Sequence, residues 1–308
     1  MSNSGLIAAI DIGGTKIAAG AVTDGGEIVA QAESPTAPHA GFASAMERAA
    51  VMLRECARAA DGEFRGIGVA CPSPLDPFTG IIGDVGTLPG WQGGNILAAL
   101  QHEFGLSVAV ENDADSAALA EAAWGQAHSS GRFLYVTVST GIGAGILIDG
   151  KLYRGVDGAH PEIGHHVLDW SGPLCYCGAR GCWEVLAAGP AMSAWVREQD
   201  PERGHLNAAQ ICALARTGDD LARRAVEREA LYLGLGLANL ITLFAPDTIA
   251  LGGGVMRSAD LFMDGIREVI RRIVTQVPAE KTVLTQASLG HGLGLAGAAR
   301  AWLHRYGG

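Results

Sequence analysis

Lysine and arginine are scarce in this chain: 22 of them stand against 32 acidic residues, a net charge of −10. So little positive charge argues against nucleic acid as a partner, because that affinity comes mainly from cations on phosphates. Charged residues of both signs make up only 18% of the chain. Long apolar runs are missing as well. Leu6–Ile10 is cut short by Asp11, and no basic residue precedes it, so neither a membrane span nor a signal peptide is expected. The expectation is a soluble, cytoplasmic protein without a membrane partner. There is no low-complexity linker and no collagen-like period, although glycine is plentiful at 44 residues. With 48% hydrophobic residues the cores can be large, and 308 residues suit two domains better than one.

The glycines cluster at strand ends. The apolar strand Leu6–Ile10 runs into Asp11-Ile-Gly-Gly-Thr-Lys16, followed by a strand at 17–22, a turn at Asp24-Gly25-Gly26 and a third strand from Glu27. About 130 residues later the order recurs. Arg132–Ser139 is a strand, Thr140-Gly-Ile-Gly-Ala-Gly145 reads as a glycine turn, Ile146–Ile148 is a strand, and Asp149-Gly150 is a hairpin turn. One copy per domain is the natural reading, with the two domains packed around a cleft. Between the copies, helical periodicity marks residues 41–60, where Ala45, Met46, Ala49, Leu53 and Cys56 share a face. A strand at 65–71 and a short one at 107–110 follow, the latter running through Glu111-Asn112-Asp113 into an alanine-rich helix. Beyond the second copy, helices are expected at 208–216, 221–244, 260–276 and 294–304, with strands at 248–251 and 282–286. The layout is α/β, mixed sheets covered by helices.

Glycines in a tight turn expose successive backbone N–H groups that can cradle a phosphate. In the first turn, Gly13 and Gly14 supply those groups, Asp11 can orient a hydrated Mg2+, and Thr15 and Lys16 can reach phosphate oxygens. Neither a Walker A loop nor a dinucleotide fingerprint is present. A single such turn serves equally well as a ligand-free hairpin. The second turn, with Thr140, Gly141, Gly143 and Gly145, tips the balance, because two equivalent turns can grip one polyphosphate. Gly253 and Gly254, at a strand-to-helix junction, offer a third close approach suited to a ribose or base.

His165, Cys175, Cys177 and Cys182 form the other conspicuous group. Three thiolates and an imidazole make a closed tetrahedral set for a structural Zn2+, and disulfides do not suit a cytoplasmic chain. Three acids stand beside these motifs: Asp113 at a strand end, and Glu162 and Glu184 flanking the cysteine segment. Phosphoryl transfer to an alcohol needs a carboxylate that takes the hydroxyl proton, which suits Asp113. Carboxylates and an asparagine such as Asn112 hydrogen-bond sugar hydroxyls well. His160 and His166 lie near the zinc histidine; the other histidines, His128 among them, read as surface or core residues. Trp91 suits either a sugar face or the core.

Taken together, Asp11-Ile-Gly-Gly-Thr-Lys16, Asn112-Asp113, Thr140–Gly145, Glu162-Ile-Gly-His165, Cys175-x-Cys-Gly-x-x-Gly-Cys182-x-Glu184 and Leu251-Gly-Gly-Gly-Val255 resemble the ROK family of repressors, open reading frames and sugar kinases. The resemblance spans nearly the whole chain. It implies an actin-like, hexokinase-type ATPase fold of two RNase-H-like domains flanking a cleft. A smaller domain would occupy 1–115 and a larger one 116–308, with the final helix, about 292–308, returning to the smaller. It further implies Asp113 as general base toward a sugar 6-hydroxyl. Asn112, Glu162, His165 and Glu184 would bind hydroxyls, His165 also serving zinc, and both glycine turns would hold ATP. The implied activity is ATP- and Mg2+-dependent hexose phosphorylation in a homodimer or tetramer, with glucose first. His160-Pro161-Glu162 resembles the fructokinase branch, whereas Leu88-Pro-Gly-Trp91 and the full cysteine set look closer to glucokinases. Fructose, mannose and N-acetylhexosamines therefore stand as alternatives. Repressor members carry a helix-turn-helix before the first glycine motif, and only ten residues precede Asp11, so a DNA-binding role is not expected.

Overall fold

The computed structural model describes residues 5–125 and 130–307. Its first sheet holds β1 (Leu6–Ile12), β2 (Lys16–Val22), β3 (Ile28–Pro35), β4 (Phe64–Cys71) and β5 (Ser107–Asn112) in the order β3-β2-β1-β4-β5. β1, β4 and β5 run parallel, while β2 and β3 are antiparallel additions. Its second sheet holds β6 (Arg132–Val138), β7 (Ile142–Ile148), β8 (Lys151–Leu152), β9 (Thr248–Gly252) and β10 (Val283–Gln286) in the order β10-β9-β6-β7-β8. Read from the other edge, this is the first topology again, with β6 in the place of β1. The recurrence of glycine turns in the sequence is thus a recurrence of folds.

The chain forms two compact units, one comprising Met1–Ser129, Lys151–Pro161 and Ser288–Gly308, the other Ser130–Gly150 and Glu162–Ala287. In the first unit, strand periodicity sorts the core onto two faces. Ala8, Ile10, Ile67, Val69, Val108 and Val110 pack with Ala45, Ala49 and Leu53 of α1 (Phe42–Ala59) and with Ile96 and Leu100 of α2 (Ile96–Phe104). Trp91 belongs to this core: it is fully buried and its indole N–H donates to the Pro38 carbonyl at 3.1 Å. Burying each large side chain there contributes about 1.5–3 kcal/mol.

On the opposite face, Ile7, Ala9, Ala70 and Ala109 meet α9 (Leu293–Tyr306) through Leu295, Ala298, Ala299 and Trp302. Gly66 and Gly68 strip that face of β4 of side chains, and a Cβ on Gly68 would sit 1.8 Å from the Ala298 carbonyl oxygen. α3 (Asp113–Trp124) packs against α9 and is buried on nearly every side, as an alanine-rich helix without an amphipathic stripe must be.

The second unit surrounds its sheet with α4 (Trp183–Ala187), α5 (Gly189–Gln199), α6 (Ala208–Arg216), α7 (Asp220–Phe244) and α8 (Ala259–Ile273). Trp183, Leu233, Leu237 and Phe262 lie at its centre. Among the described residues no helix is long and apolar enough to cross a membrane.

Candidate functional site

The parallel strands of the first unit end at one edge, and this is where loops and helix starts collect polar groups in α/β folds. Asp11 stands near the end of β1, Cys71 ends β4 and Asn112 ends β5. Asn112 caps α3: its side-chain oxygen accepts from the N–H groups of Ala114 (2.8 Å) and Asp115 (3.1 Å). Its amide donates to the Ser73 hydroxyl at 2.8 Å, which leaves one amide hydrogen for a ligand. This cap fixes the first turn of α3 and so aims Asp113, whose carboxylate is exposed.

Electrostatics mark the same edge. Protein packed around Asp113 strips part of its hydration and raises its pKa, Asp115 adding to this while the Ala114 N–H and His160 oppose it. Asp11 is raised to about 6, chiefly by burial and then by the charge of Asp113. A carboxylate raised in part by the charge of another suits a divalent cation, since Mg2+ takes oxygen ligands and relieves like-charge repulsion. Behind them Asp115, fully buried, lies 3.0 Å from His160 Nδ1 and 3.3 Å from an Arg154 guanidinium nitrogen. Arg154 also pairs with Glu111, which burial nonetheless pushes up to about 7. His160 is therefore tied to a buried acid.

The first glycine turn is Gly13–Thr15, closed by the Gly13 N–H donating to the Lys16 carbonyl at 2.9 Å. Gly14 leaves no room for a side chain, since a Cβ would come within 2.8 Å of Thr87. Thr15 and Lys16 are exposed, and Lys16 is paired with Glu33 at 2.5 Å.

The second turn is tighter than expected. Only Ser139–Gly141 link β6 and β7; Gly143 and Gly145 lie within β7, opposite Thr137 and Tyr135. The alternation Ile142, Ala144, Ile146 overrides the turn preference of the intervening glycines. Thr140 is exposed at the turn. At the other junction Gly253 adopts φ +90° with its Cα against the Val138 backbone, so its close approach is met by protein, whereas Gly254 has only the Ser139 hydroxyl nearby.

The acids of the second unit converge on this turn. Glu184, near the start of α4, accepts from the Ile142 N–H at 2.9 Å, and its carboxylate lies where a Cβ on Gly141 would project. Gly164, in the single helical turn Ile163–His165, packs against the Ile142 carbonyl. One residue, Ile142, thus ties the Glu162–His165 segment and Glu184 to the turn through its two flanking peptides. The sequence shows these as three separate motifs.

The ligand atoms of His165, Cys175, Cys177 and Cys182 all lie within 4.8 Å of one another. Cys175 Sγ is 3.6 Å from His165 Nδ1, and Cys177 Sγ is 3.6 Å from Cys182 Sγ. Those separations fit the edges of a tetrahedron with Zn–S bonds of about 2.3 Å. His165 Nε2 meets the Tyr176 hydroxyl at 2.9 Å. His166 is held elsewhere, with Nδ1 2.5 Å from the Ile163 carbonyl and its ring edge-on to Trp183. His128 lies outside the described residues.

Asp11, Gly13, Gly14, Thr15, Lys16, Asn112 and Asp113 are thus neighbours in the first unit, and Thr140, Gly141, Glu162, His165 and Glu184 in the second. Sequence reasoning missed Thr36, buried behind the first turn, and Glu121, whose carboxylate accepts from the N–H groups of Ser288 and Leu289, both at 2.8 Å.

Comparison with known proteins places the chain among relatives. The xylose repressor of Bacillus subtilis (strain 168) is 32% identical over 226 residues, 73% of this chain, and the chain spans only 57% of that protein. The glucokinase of Streptomyces coelicolor is 33% identical over 316 residues, 96% of each chain. Among solved structures, a ROK family glucokinase from Streptomyces griseus in complex with glucose and AMPPNP superposes with a TM-score of 0.82 at 30% identity, over 96% of this chain and 98% of that one. The ROK family pattern matches residues 7–305, and with that extent of agreement the chain belongs to the ROK family.

Proposed function

We propose that this protein transfers the terminal phosphoryl group of ATP to the 6-hydroxyl of a hexose, glucose first among the candidates. The observation that carries the reading is Asp113: an exposed carboxylate at the C-terminal edge of a parallel sheet, held by a helix cap, with its pKa raised and Asp11 beside it. Likeness to the Streptomyces coelicolor glucokinase along nearly the full length of both chains supports it.

In this mechanism Asp113 accepts the hydroxyl proton while the oxygen attacks the γ-phosphorus, and the bond to the β–γ bridging oxygen breaks as ADP leaves. Asp11 orients Mg2+, which when bound neutralises charge on the phosphate oxygens. The N–H groups of Gly14 and Thr15 in one turn and of Thr140 and Gly141 in the other bind phosphates, the Gly13 and Ser139 N–H groups being used to close the turns, with Gly254 toward the nucleoside. Glu162 and Glu184 take sugar hydroxyls, Asn112 offers its remaining amide hydrogen, and His165 Nε2 joins them by exchanging the Tyr176 hydroxyl for one of the sugar. Zinc, when bound by His165, Cys175, Cys177 and Cys182, supplies rigidity to the segment carrying those groups. On the same reading the enzyme works in the cytoplasm as a homodimer or tetramer.

A coupled ADP-release assay across a hexose panel tests this. Asp113→Asn should lower kcat by at least about 10³-fold, within the span of general-base effects, while sugar binding persists. A near-normal kcat in that variant rejects Asp113 as base. Likeness to the xylose repressor favours a second reading, sugar-dependent control of transcription. The net charge of −10 opposes it, and specific operator binding in a gel shift would establish it.

A further inference from the structure

Behind the first glycine turn lies Thr36, one residue past β3, with no exposed surface. Its hydroxyl donates to the Gly13 carbonyl at 2.5 Å, and its backbone N–H donates to the Thr15 carbonyl at 3.0 Å. Its own carbonyl accepts from Arg48 Nη2 on α1 at 2.6 Å, while Nη1 of the same guanidinium donates to the Ser44 hydroxyl at 2.8 Å. One buried side chain and its backbone thus take up two carbonyls of a three-residue turn, and an arginine clamps the clamp.

The direction of those carbonyls matters. In a planar trans peptide the C=O and the following N–H point opposite ways. Tying the carbonyls of Gly13 and Thr15 to Thr36 therefore turns the N–H groups of Gly14 and Lys16 away from Thr36. Successive N–H groups presented without competing carbonyls are what an anion-binding turn requires. Glycine left to itself would rotate these peptides freely, because it lacks the Cβ that restricts φ and ψ.

We infer that Thr36, supported by Arg48, is a positioning residue for nucleotide binding: it fixes the peptide orientation of the Gly13–Thr15 turn so that its N–H groups face a phosphate. The inference rests on the ATP-dependent reading above. It assigns no contact between Thr36 and the substrate.

The test compares Thr36→Val, which keeps the shape and loses the hydroxyl, with Thr36→Ser, which keeps the hydroxyl. Steady-state KM values for ATP and for the hexose are measured alongside equilibrium binding of a non-hydrolysable ATP analogue. Thr36→Val should raise the KM for ATP about tenfold, the loss expected when a buried carbonyl loses its donor. The KM for the hexose should stay within about twofold, and Thr36→Ser should restore ATP binding to near the parent value. An unchanged KM for ATP in Thr36→Val overturns the inference, as does an equal rise in both KM values with a lowered melting temperature. Should Thr36→Val fail to fold, Arg48→Met must raise the KM for ATP selectively, and equal KM values in Arg48→Met and the parent overturn the inference. A parent protein that neither binds nor consumes ATP would instead sink the proposed function and this inference together.

Discussion

At the scale of single residues, the proposed mechanism turns on two carboxylates. Asp11, at about 6, and Asp113, raised by lost hydration, both titrate above the ordinary aspartate range. A general base works only when deprotonated, so turnover should fall as pH drops through that raised range rather than near pH 4. The check is kcat against pH with circular dichroism at each point to show that the fold persists. A level profile from neutral pH down to about pH 4 would show that no raised carboxylate acts in the step. The local structure of the candidate site was readable where the requirement is local: Gly13 and Gly14 stand together because a tight turn needs both, and Asn112 caps the helix that Asp113 begins. Thr36 and Glu121 were not readable. Their partners lie 23 residues away at Gly13 and 167 away at Ser288, and no spacing rule reaches across such separations.

At the scale of elements, periodicity found α1, α6, α7, α8 and α9 and overlooked α2, α4 and α5. Residues 208–216 and 221–244 correspond to α6 and α7, since an apolar face recurring every three to four residues is a strong signal over two turns or more. The helix expected to reach 276 ends at Ile273, where Val274 and Thr275 are β-branched and Pro278 lies ahead. α4 has five residues, too few for a period, while α5 opens on Gly-Pro and its apolar face, Met192, Trp195 and Val196, spans barely one turn. α2 did carry its signals, an Asn95 cap and a left-handed Gly105.

One buried residue of α7 makes an element-level prediction. Glu229 has no exposed surface and neither carboxylate oxygen has a hydrogen-bond partner, so burial drives its pKa well above normal. The folded state therefore holds a proton that the unfolded chain releases above about pH 4.5, and stability falls as pH rises from there toward the folded-state pKa. Glu229→Leu should raise stability at neutral pH by about 1–3 kcal/mol and flatten that dependence, read by urea unfolding at pH 5 and pH 8. Equal or lower stability at pH 8 would mean that the acid has found a partner.

The segment with His165, Cys175, Cys177 and Cys182 gives another, on the proposal that it holds zinc. Chelation should release one Zn2+ per chain, lower the melting midpoint by about 5 °C or more, and raise the KM for the hexose, because Glu184 and His165 lose their frame. Full activity and unchanged melting after proven metal loss would contradict that dependence.

At the scale of the whole molecule, each unit is assembled from separate stretches of chain. The first is complete only with Ser288–Gly308, whose α9 covers Ile7, Ala9 and Ala70 and rests on Gly66 and Gly68. Removing residues 293–308 should leave that face of the sheet bare, shown by dye binding to exposed apolar surface and by loss of nucleotide affinity. A truncated protein with parental nucleotide affinity would show that α9 is dispensable. Gly68→Ala is the point version, expected to cost about 3 kcal/mol because the new methyl meets a backbone carbonyl.

That assembly has a consequence during synthesis. A ribosome delivers β1, β2, β3, β4 and β5 first, and the helix that closes their second face follows only after residues 130–287. The nascent sheet must wait through the manufacture of the entire other unit, so pauses in translation between β5 and α9 should bear on yield more than pauses before β5.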